Sequence, residues 1–228
     1  AVRLGAPERK VAFSVPTGNF GDVFAGYVAQ RMGLPVERLI VATNVNDILH
    51  RALTNGDYST GDVTATAAPS MDIQVSSNFE RLLFDLSGRD GAALAGMMTG
   101  FEASKAMTIP ADMLAASRPL ITSARIDPDG MAMAMRWGFD HAAQIIDPHT
   151  AIGLAAARQA DLGDTPIVTL ATAHPAKFRD AVERATGTRP MMPTRLGNLF
   201  DREERYATLP ATKEAIAAYV AERATPAA

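Results

Sequence analysis

The fold class of this chain is decided by residues 10–42, which read KVAFSVPTGNFGDVFAGYVAQRMGLPVERLIVA. The segment from Lys10 to Val15 is short and mostly apolar, which is typical of a buried strand. Apolar residues then recur at helical spacing from Val23 to Met32, Gly33 is a natural helix stop, and Leu39 to Ala42 predict a second strand. These elements form a βαβ unit. We therefore expect an α/β protein with an open, mostly parallel twisted sheet flanked by helices.

The rest of the chain predicts several more helices and one more strand. The signals are helical periodicity, N-cap residues placed before prolines, and a short apolar run. They predict helices at Asn46–Leu53, at Arg81–Leu86 with Ser77 and Glu80 as a capping box, at Gly91–Lys105, after Asp127-Pro128, after Asp147-Pro148, at Pro175–Ala185 and at Ala211–Arg223, and a strand at Pro166–Thr172. No internal repeat or low-complexity linker is visible, so we predict one α/β domain over residues 1–228.

Composition and charge argue against several classes of function. Apolar residues make up 47% of the chain, and no apolar run reaches the roughly eighteen residues that a membrane helix needs. A net charge of −3, with acidic and basic residues interleaved, argues against a nucleic-acid-binding surface. Cysteine is absent, which excludes disulfides and a thiol nucleophile, and the four histidines lack metal-ligand spacing. No signal peptide is visible, so we expect a cytoplasmic protein.

The loop Gly18-Asn19-Phe20-Gly21-Asp22 joins the first predicted strand to the first helix. Open α/β sheets bind anions at such loops, because the first N–H groups of the helix lack intrahelical partners and the helix dipole is positive there. Two glycines let the backbone approach a phosphate, and Asn19 adds an amide donor. The loop lacks the G-K-[ST] of a Walker loop and the third glycine of a dinucleotide fingerprint. On spacing alone, a plain tight turn explains it about equally well.

Asp22 complicates the phosphate hypothesis, because a carboxylate repels a phosphate. We expect its side chain to cap the helix and point away, which would leave its N–H for the anion.

Five stretches, in order, resemble the threonine synthases, a branch of the fold-type II pyridoxal-phosphate enzymes. The resemblance covers residues 11 to about 186 and implies the large domain of that fold. It also implies pyridoxal 5'-phosphate as cofactor and a reaction in which O-phospho-L-homoserine and water give L-threonine and phosphate. The five stretches are Val15–Asp22, Ala42–Asp47, Pro69–Arg81, Asp147–Ala151 and Ala171–Phe178.

The resemblance further implies roles for individual residues. Thr172 would face the pyridine nitrogen of the cofactor from the end of a strand. His174 would lie near the site, although a solvated or core histidine is the better interpretation. The residues expected to cradle the cofactor phosphate are Gly18, Asn19, Phe20, Gly21 and Asp22.

The lysine that carries the cofactor in the family has no counterpart among the four lysines of this chain. The resemblance implies that it lies in the N-terminal half, in a stretch similar to Phe-Lys-Asp. Lys10, Lys105, Lys177 and Lys213 lie in other settings, and we interpret Lys105 and Lys177 as solvated structural residues. We therefore expect a C-terminal portion of a larger enzyme, inactive alone, with most substrate contacts in a missing N-terminal part.

Two alternatives stay open at the level of the sequence. Another fold-type II pyridoxal-phosphate lyase or dehydratase would share the loop, although the run from Pro69 to Arg81 favours the threonine synthases. A non-catalytic phosphate-binding module would keep the loop without the lysine, although nothing in the sequence indicates a partner surface.

Overall fold

The chain divides into two compact units, Ala1–Met191 and Met192–Ala228. A computed structural model describes residues 1–224, so residues 225–228 of the single domain predicted over residues 1–228 lie outside the described residues. The single-domain organisation stays a prediction, and the two units are described one at a time.

A four-stranded parallel sheet forms the centre of the first unit, in the order β5-β2-β1-β6. Ser14 of the inner strand β1 pairs with Ile40 on one side and with Thr169 on the other. A separate antiparallel pair joins β3 to β4. The predicted βαβ unit and the parallel sheet are confirmed. The strands are β1 (Val11–Pro16), β2 (Val36–Thr43), β3 (Asp57–Ser59), β4 (Ala106–Thr108), β5 (Ile121–Arg125) and β6 (Ile167–Thr169).

Helices cover both faces of this sheet, because successive residues of the buried strands supply two hydrophobic clusters. Leu39 and Val41 belong to the cluster that also contains Leu49 and Leu82, whereas Ile40 belongs to the cluster beneath α6, α7 and α8. The helices of this unit are α1 (Gly21–Arg31), α2 (Ile48–Asn55), α3 (Phe79–Leu86), α4 (Gly91–Ser104), α5 (Ala111–Ser117), α6 (Pro128–Ala142), α7 (Pro148–Gln159) and α8 (Arg179–Thr186), with 3-10 turns at Val2–Leu4, Pro69–Met71 and Pro175–Phe178.

Two of the predicted helix starts are confirmed and one is wrong. Asp127 and Asp147 are N-caps whose carboxylates accept hydrogen bonds from first-turn N–H groups. The capping box predicted for Ser77 does not form, because the N-cap of α3 is Asn78 and no side chain caps it. The Ser77 hydroxyl instead donates to Asn19 Oδ1 at 3.3 Å, and the Asn78 side chain donates to the Asn19 carbonyl at 3.0 Å. Contacts with a distant loop therefore override the local capping pattern.

The third predicted strand is shorter than the sequence suggests. β6 ends at Thr169, and the last bond to its neighbour runs from Leu170 N to Ser14 O at 3.0 Å. β1 ends at Pro16, and the next amide, that of Thr17, donates to Ala42 on the other side. No part of β1 is left to pair with Thr172, which lies in the loop beyond the strand.

The second unit contains the helix predicted near the C-terminus, α9 (Lys213–Ala224), and 3-10 turns at Thr194–Leu196 and Leu199–Asp201. Over residues 1–224, none of the helices combines the length and the apolar character that a membrane crossing requires. The same part of the chain contains no group of three or more histidine, aspartate or glutamate residues that could hold a metal ion.

Candidate functional site

A cleft of about 260 Å³ lies at the carboxyl end of β1, where the loop before α1 meets three other segments. Ligands bind at this edge of open parallel sheets, because the loops that follow the strands converge there. Five of the six predicted site residues line the cleft, and Phe20 does not. The lining residues are Pro16, Thr17, Gly18, Asn19, Gly21, Asp22, Ser70, Met71, His149, Thr172, Ala173 and Lys177.

Phe20 anchors the loop instead of lining the cleft. Its side chain is fully buried and contacts Phe79 edge to face, with ring centroids 5.2 Å apart. Its N–H donates to Thr17 Oγ1 at 2.9 Å, so this amide is not available to an anion. Phe20 is the N-cap of α1 and has a φ of 65°, a left-handed conformation that costs energy in a residue with a side chain. The buried ring and the bond to Thr17 hold the loop in this conformation.

The two glycines of the loop have different surroundings. A Cβ added to Gly18 would lie 2.9 Å from the carbonyl oxygen of Ser70 and 3.0 Å from Ile73 Cδ1. A Cβ at Gly21 would meet nothing closer than Asn78 Nδ2 at 3.6 Å. Gly18 is therefore required where the loop packs against the Pro69–Met71 turn, while Gly21 leaves open space at the N-terminus of α1.

The donors that face the cleft come from the helix start and from Asn19. The N–H groups of Gly21 and Asp22 lie in the first turn of α1 and have no intrahelical acceptor. Asn19 Oδ1 accepts from the Ser77 hydroxyl, and the Asn19 carbonyl accepts from Asn78. With its oxygens engaged by these neighbours, the Asn19 side chain has Nδ2 left to donate to a ligand.

The cap predicted for Asp22 is wrong. The helix starts at Gly21 after the N-cap Phe20, so Asp22 lies inside the first turn, and no side chain caps this helix. Thr17 Oγ1 accepts from the amide of Phe20, which precedes the first turn. The Asp22 side chain is exposed and lines the cleft, where its charge stabilises the positive end of the helix dipole and opposes a bound anion.

Thr172 lines the same cleft as the loop and is exposed. Within residues 1–224, no hydrogen bond to its hydroxyl is formed by neighbouring backbone, so the group is available to a ligand. His174 is also exposed, and its Nδ1 accepts from the Ala176 amide at 3.1 Å as the N-cap of the Pro175–Phe178 turn. This placement agrees with the interpretation of His174 as a structural residue.

His149 is a cleft residue that sequence reasoning missed. It is buried, its Nε2 accepts from the Ser70 amide at 3.3 Å, and its Nδ1 lies 2.9 Å from Asp147 Oδ1. Burial raises the pKa of the Asp147 carboxyl, but hydrogen bonds from His149 and Thr150 outweigh burial and leave this pKa below its ordinary value. A signal was present, because the N-cap Asp147 places His149 in the first turn of a helix that packs on the sheet.

Lys177 also lines the cleft, although the sequence suggested only a solvated residue. Its side chain is exposed, with Nζ 5.8 Å from the centroid of the Phe178 ring. In the part of the chain that the structure describes, Lys177 forms no salt bridge. Among the described residues that line the cleft, Lys177 provides the positive side chain and Asp22 the negative one.

A second cavity, of about 420 Å³, is larger but has less suitable chemistry. It lies between α6, α8 and the loop at residues 64–67, and its walls are mostly apolar, with Met131, Met135 and Ile152 among them. Arg184 and the start of α6 line this cavity, but the first residue of that helix, Pro128, has no N–H, and the carboxylate of Asp127 already accepts from the Gly130 amide at 2.7 Å. The smaller, more polar cleft is therefore the better candidate for an anionic ligand.

Comparisons with known proteins agree on one family. Residues 150–220 match the family model described as threonine synthase, C-terminal. The threonine synthase of Pseudomonas aeruginosa is 48% identical over 224 residues, which cover 97% of this chain and 48% of that protein. The threonine synthase of Corynebacterium glutamicum is 39% identical over 222 residues, covering 94% and 46%.

The chain belongs to the threonine synthase family. Solved structures of the family superpose on it. A crystal structure described as PLP-bound threonine synthase from Brucella melitensis has a TM-score of 0.91 and 48% identity, and the match covers 99% of this chain and 48% of that one. The yeast threonine synthase has a TM-score of 0.82 and 35% identity, with 88% and 44% covered. The chain thus spans about half the length of the relatives that it matches, and the expected family and α/β fold class are confirmed.

Proposed function

We propose that this chain carries the cofactor-phosphate site of a pyridoxal-phosphate-dependent threonine synthase. The proposed overall reaction converts O-phospho-L-homoserine and water to L-threonine and phosphate. The observation that carries the proposal is the cleft that is lined both by residues of the Gly18 to Asp22 loop and by Thr172. The family of the chain favours this reaction over that of another fold-type II lyase or dehydratase.

The residues of the cleft fit a phosphorylated cofactor. The first-turn amides of Gly21 and Asp22, together with Asn19 Nδ2, supply donors for a phosphate, and the helix dipole favours negative charge there. Lys177 offsets the charge of the Asp22 carboxylate on the same cleft. Close packing of Gly18 against the backbone of Ser70 keeps the loop in the shape that presents these donors.

Thr172 is suited to the ring nitrogen of the cofactor. When bound, the cofactor supplies an electron sink for the bonds of the substrate that break. A threonine hydroxyl donates a hydrogen bond to an unprotonated pyridine nitrogen, whereas a carboxylate at the same position would hold a proton on it. Thr172 is exposed and lines the same cleft as the loop, which supports this role.

The whole enzyme, in this proposal, includes parts beyond this chain. The lysine that links the cofactor, and most contacts with the substrate, would belong to an N-terminal part of the same enzyme. A cytoplasmic location is part of the same proposal, and cell fractionation with an antibody to the chain checks it.

A comparison of pyridoxal phosphate with pyridoxal, which lacks the phosphate, tests the proposal on the purified chain. A helix N-terminus contributes about 0.3–2 kcal/mol to anion binding, while millimolar affinity needs about 4 kcal/mol, so we expect weak binding. We expect the phosphorylated compound to bind several-fold more tightly. Borohydride reduction should label no single lysine stoichiometrically. Equal affinity for both compounds, or stoichiometric labelling of one lysine with turnover of phosphohomoserine, would contradict the proposal.

A further inference from the structure

We propose that His149 is a positioning residue that holds the Pro69–Met71 turn against Gly18 and thereby fixes the phosphate loop. This inference rests on the proposed function, and it assigns a role to a histidine for which the reaction itself gives none. His149 is 4% exposed and lines the same cleft as the loop. A buried imidazole needs partners for both ring nitrogens, and the identity of those partners decides what the residue does.

Its two partners fix the protonation pattern of the ring. The Ser70 amide can only donate, so His149 Nε2 accepts and carries no proton. The ring proton of the neutral imidazole therefore sits on Nδ1 and donates to Asp147 Oδ1 at 2.9 Å. Asp147 is 1% exposed and also accepts from the amides of His149 and Thr150, so the carboxylate itself is held in place. A fixed carboxylate sets both the tautomer and the orientation of the ring.

His149 belongs to α7, and α7 packs against β1, the strand that leads into the phosphate loop. Ser14 of β1 donates from its hydroxyl to the carbonyl of Gly153 in α7 at 2.6 Å. A Cβ at Gly153 would lie 3.0 Å from Pro16 Cδ and 3.0 Å from Thr169 Cγ2, so α7 approaches β1 and β6 as closely as packing allows. The position of α7, and with it His149, is therefore fixed relative to Pro16, which directly precedes the loop.

These contacts form a closed series that connects β1, the phosphate loop, the Pro69–Met71 turn and α7. β1 leads through Pro16 to Gly18, Gly18 packs on the carbonyl of Ser70, the amide of Ser70 bonds to His149, and α7 packs back on β1. In this series of contacts, the hydrogen bond from the Ser70 amide to His149 joins the turn to α7.

Asp72, directly after the turn, keeps its own hydrogen bonds with Asn44 and Thr66. Removal of the bond to His149 takes away the link between the turn and α7, so the wall against which Gly18 packs is held less firmly.

The other role open to His149 is packing alone, since its ring lies 4.8 Å from that of Phe178. Two substitutions separate the roles. His149→Gln can place an amide oxygen near the position of Nε2 and so accept from Ser70, whereas His149→Asn can bond to Asp147 but does not reach Ser70. Both remove the aromatic ring. If packing of the aromatic ring were the role of His149, both variants should lose phosphate binding equally. If the bond to Ser70 is the role, glutamine should retain phosphate binding and asparagine should not.

The test uses the ¹⁵N-labelled chain titrated with inorganic phosphate, with the amide signals of Gly18, Gly21 and Ser70 as readouts. We expect His149→Asn to raise the Kd for phosphate about five- to tenfold and to accelerate hydrogen exchange of the Ser70 amide by a similar factor. We expect His149→Gln to stay within about twofold of the unmodified chain in both measurements. His141→Asn, which removes an exposed histidine of α6, serves as the control and should change neither.

The outcomes separate this inference from the proposed function. Failure of the unmodified chain to shift its loop amides with phosphate would overturn the proposed function and this inference together. Normal binding by the unmodified chain and by both folded variants would overturn the inference alone. Equal losses in both variants would assign His149 to ring packing and would also overturn it. Should the asparagine variant not fold, weak binding by a folded glutamine variant would still contradict the positioning role.

Discussion

Gly18→Ala is the substitution whose effect follows most directly from the geometry of the cleft. The new methyl group would lie 2.9 Å from a backbone oxygen, that of Ser70, and 3.0 Å from Ile73 Cδ1. The Ile73 side chain can move, but the carbonyl belongs to a turn that His149 holds, so the loop itself must shift. Overpacking of this kind destabilises the folded state by about 1–3 kcal/mol. Alanine also lowers the backbone entropy of the unfolded chain, which offsets about 0.4–1 kcal/mol of this loss.

The expected net effect of Gly18→Ala is therefore a free energy of unfolding lower by about 1–2 kcal/mol, with a Kd for phosphate raised at least about tenfold. Gly96→Ala is the matched control, because Gly96 lies within α4 and a Cβ there meets nothing within 4 Å. That variant should be more stable by about 0.5–1 kcal/mol, since alanine favours helix over glycine.

Urea unfolding followed by circular dichroism, together with phosphate titration, measures both effects. Both substitutions add one methyl group, but they should change the free energy of unfolding in opposite directions. Only Gly18→Ala should change the affinity for phosphate. A Gly18→Ala chain with unchanged stability and unchanged phosphate affinity would refute the claim that this glycine is required by close packing.

The remaining predictions concern two other residues of the cleft and Asp147, the partner of His149. In the whole enzyme with cofactor bound, Thr172→Ala should weaken pyridoxal-phosphate binding by about 0.5–1.5 kcal/mol, the contribution of one hydrogen bond. Thr172→Asp should shift the absorption of the cofactor. If spectrophotometric titration finds neither change, Thr172 is not the partner of the ring nitrogen. Lys177→Met should raise the Kd of the chain for phosphate about two- to fivefold at low salt and much less at high salt, whereas Lys105→Met should not; a salt-independent loss would rule out a charge effect. The pKa of Asp147 is depressed in the folded state, so its charged form contributes stability above the unfolded pKa of about 3.9, and this contribution is lost as pH falls through the folded pKa. The difference in unfolding free energy between the unmodified chain and Asp147→Asn should therefore shrink below about pH 4, and urea unfolding that gives a constant difference from pH 7 to pH 3 would contradict the assignment.

The sequence predicts those features that depend on neighbouring residues. The βαβ unit follows from apolar periodicity around Val15, Val23 and Leu39, and the helix starts after Asp127 and Asp147 follow from N-cap residues before prolines. The position of the loop at the sheet edge follows from the same pattern, because chain order places it between a strand and a helix. Five of the six predicted site residues therefore line one cleft.

The features that the sequence did not predict depend on contacts between distant residues. Ser77 fails as a cap because it bonds to Asn19, and Asp22 fails as a cap because α1 begins one residue earlier, after Phe20, whose ring packs on the distant Phe79. His149 and Lys177 come to the cleft only when α7 and the Pro175–Phe178 turn pack against the sheet edge. Local patterns contain no information on these distances, which follow from packing of the whole unit.

The proposed function requires that the Gly18–Asp22 loop binds the phosphate of pyridoxal phosphate while Thr172 faces its ring. Both contacts can be measured together by amide chemical-shift mapping of the ¹⁵N-labelled chain with pyridoxal phosphate. We predict the largest shifts at residues 18–22 and a smaller shift at Thr172, with inorganic phosphate reproducing only the first group. Shifts confined to the second cavity, at residues 64–67 and Arg184, or the absence of any shift at the loop, would overturn the proposed site.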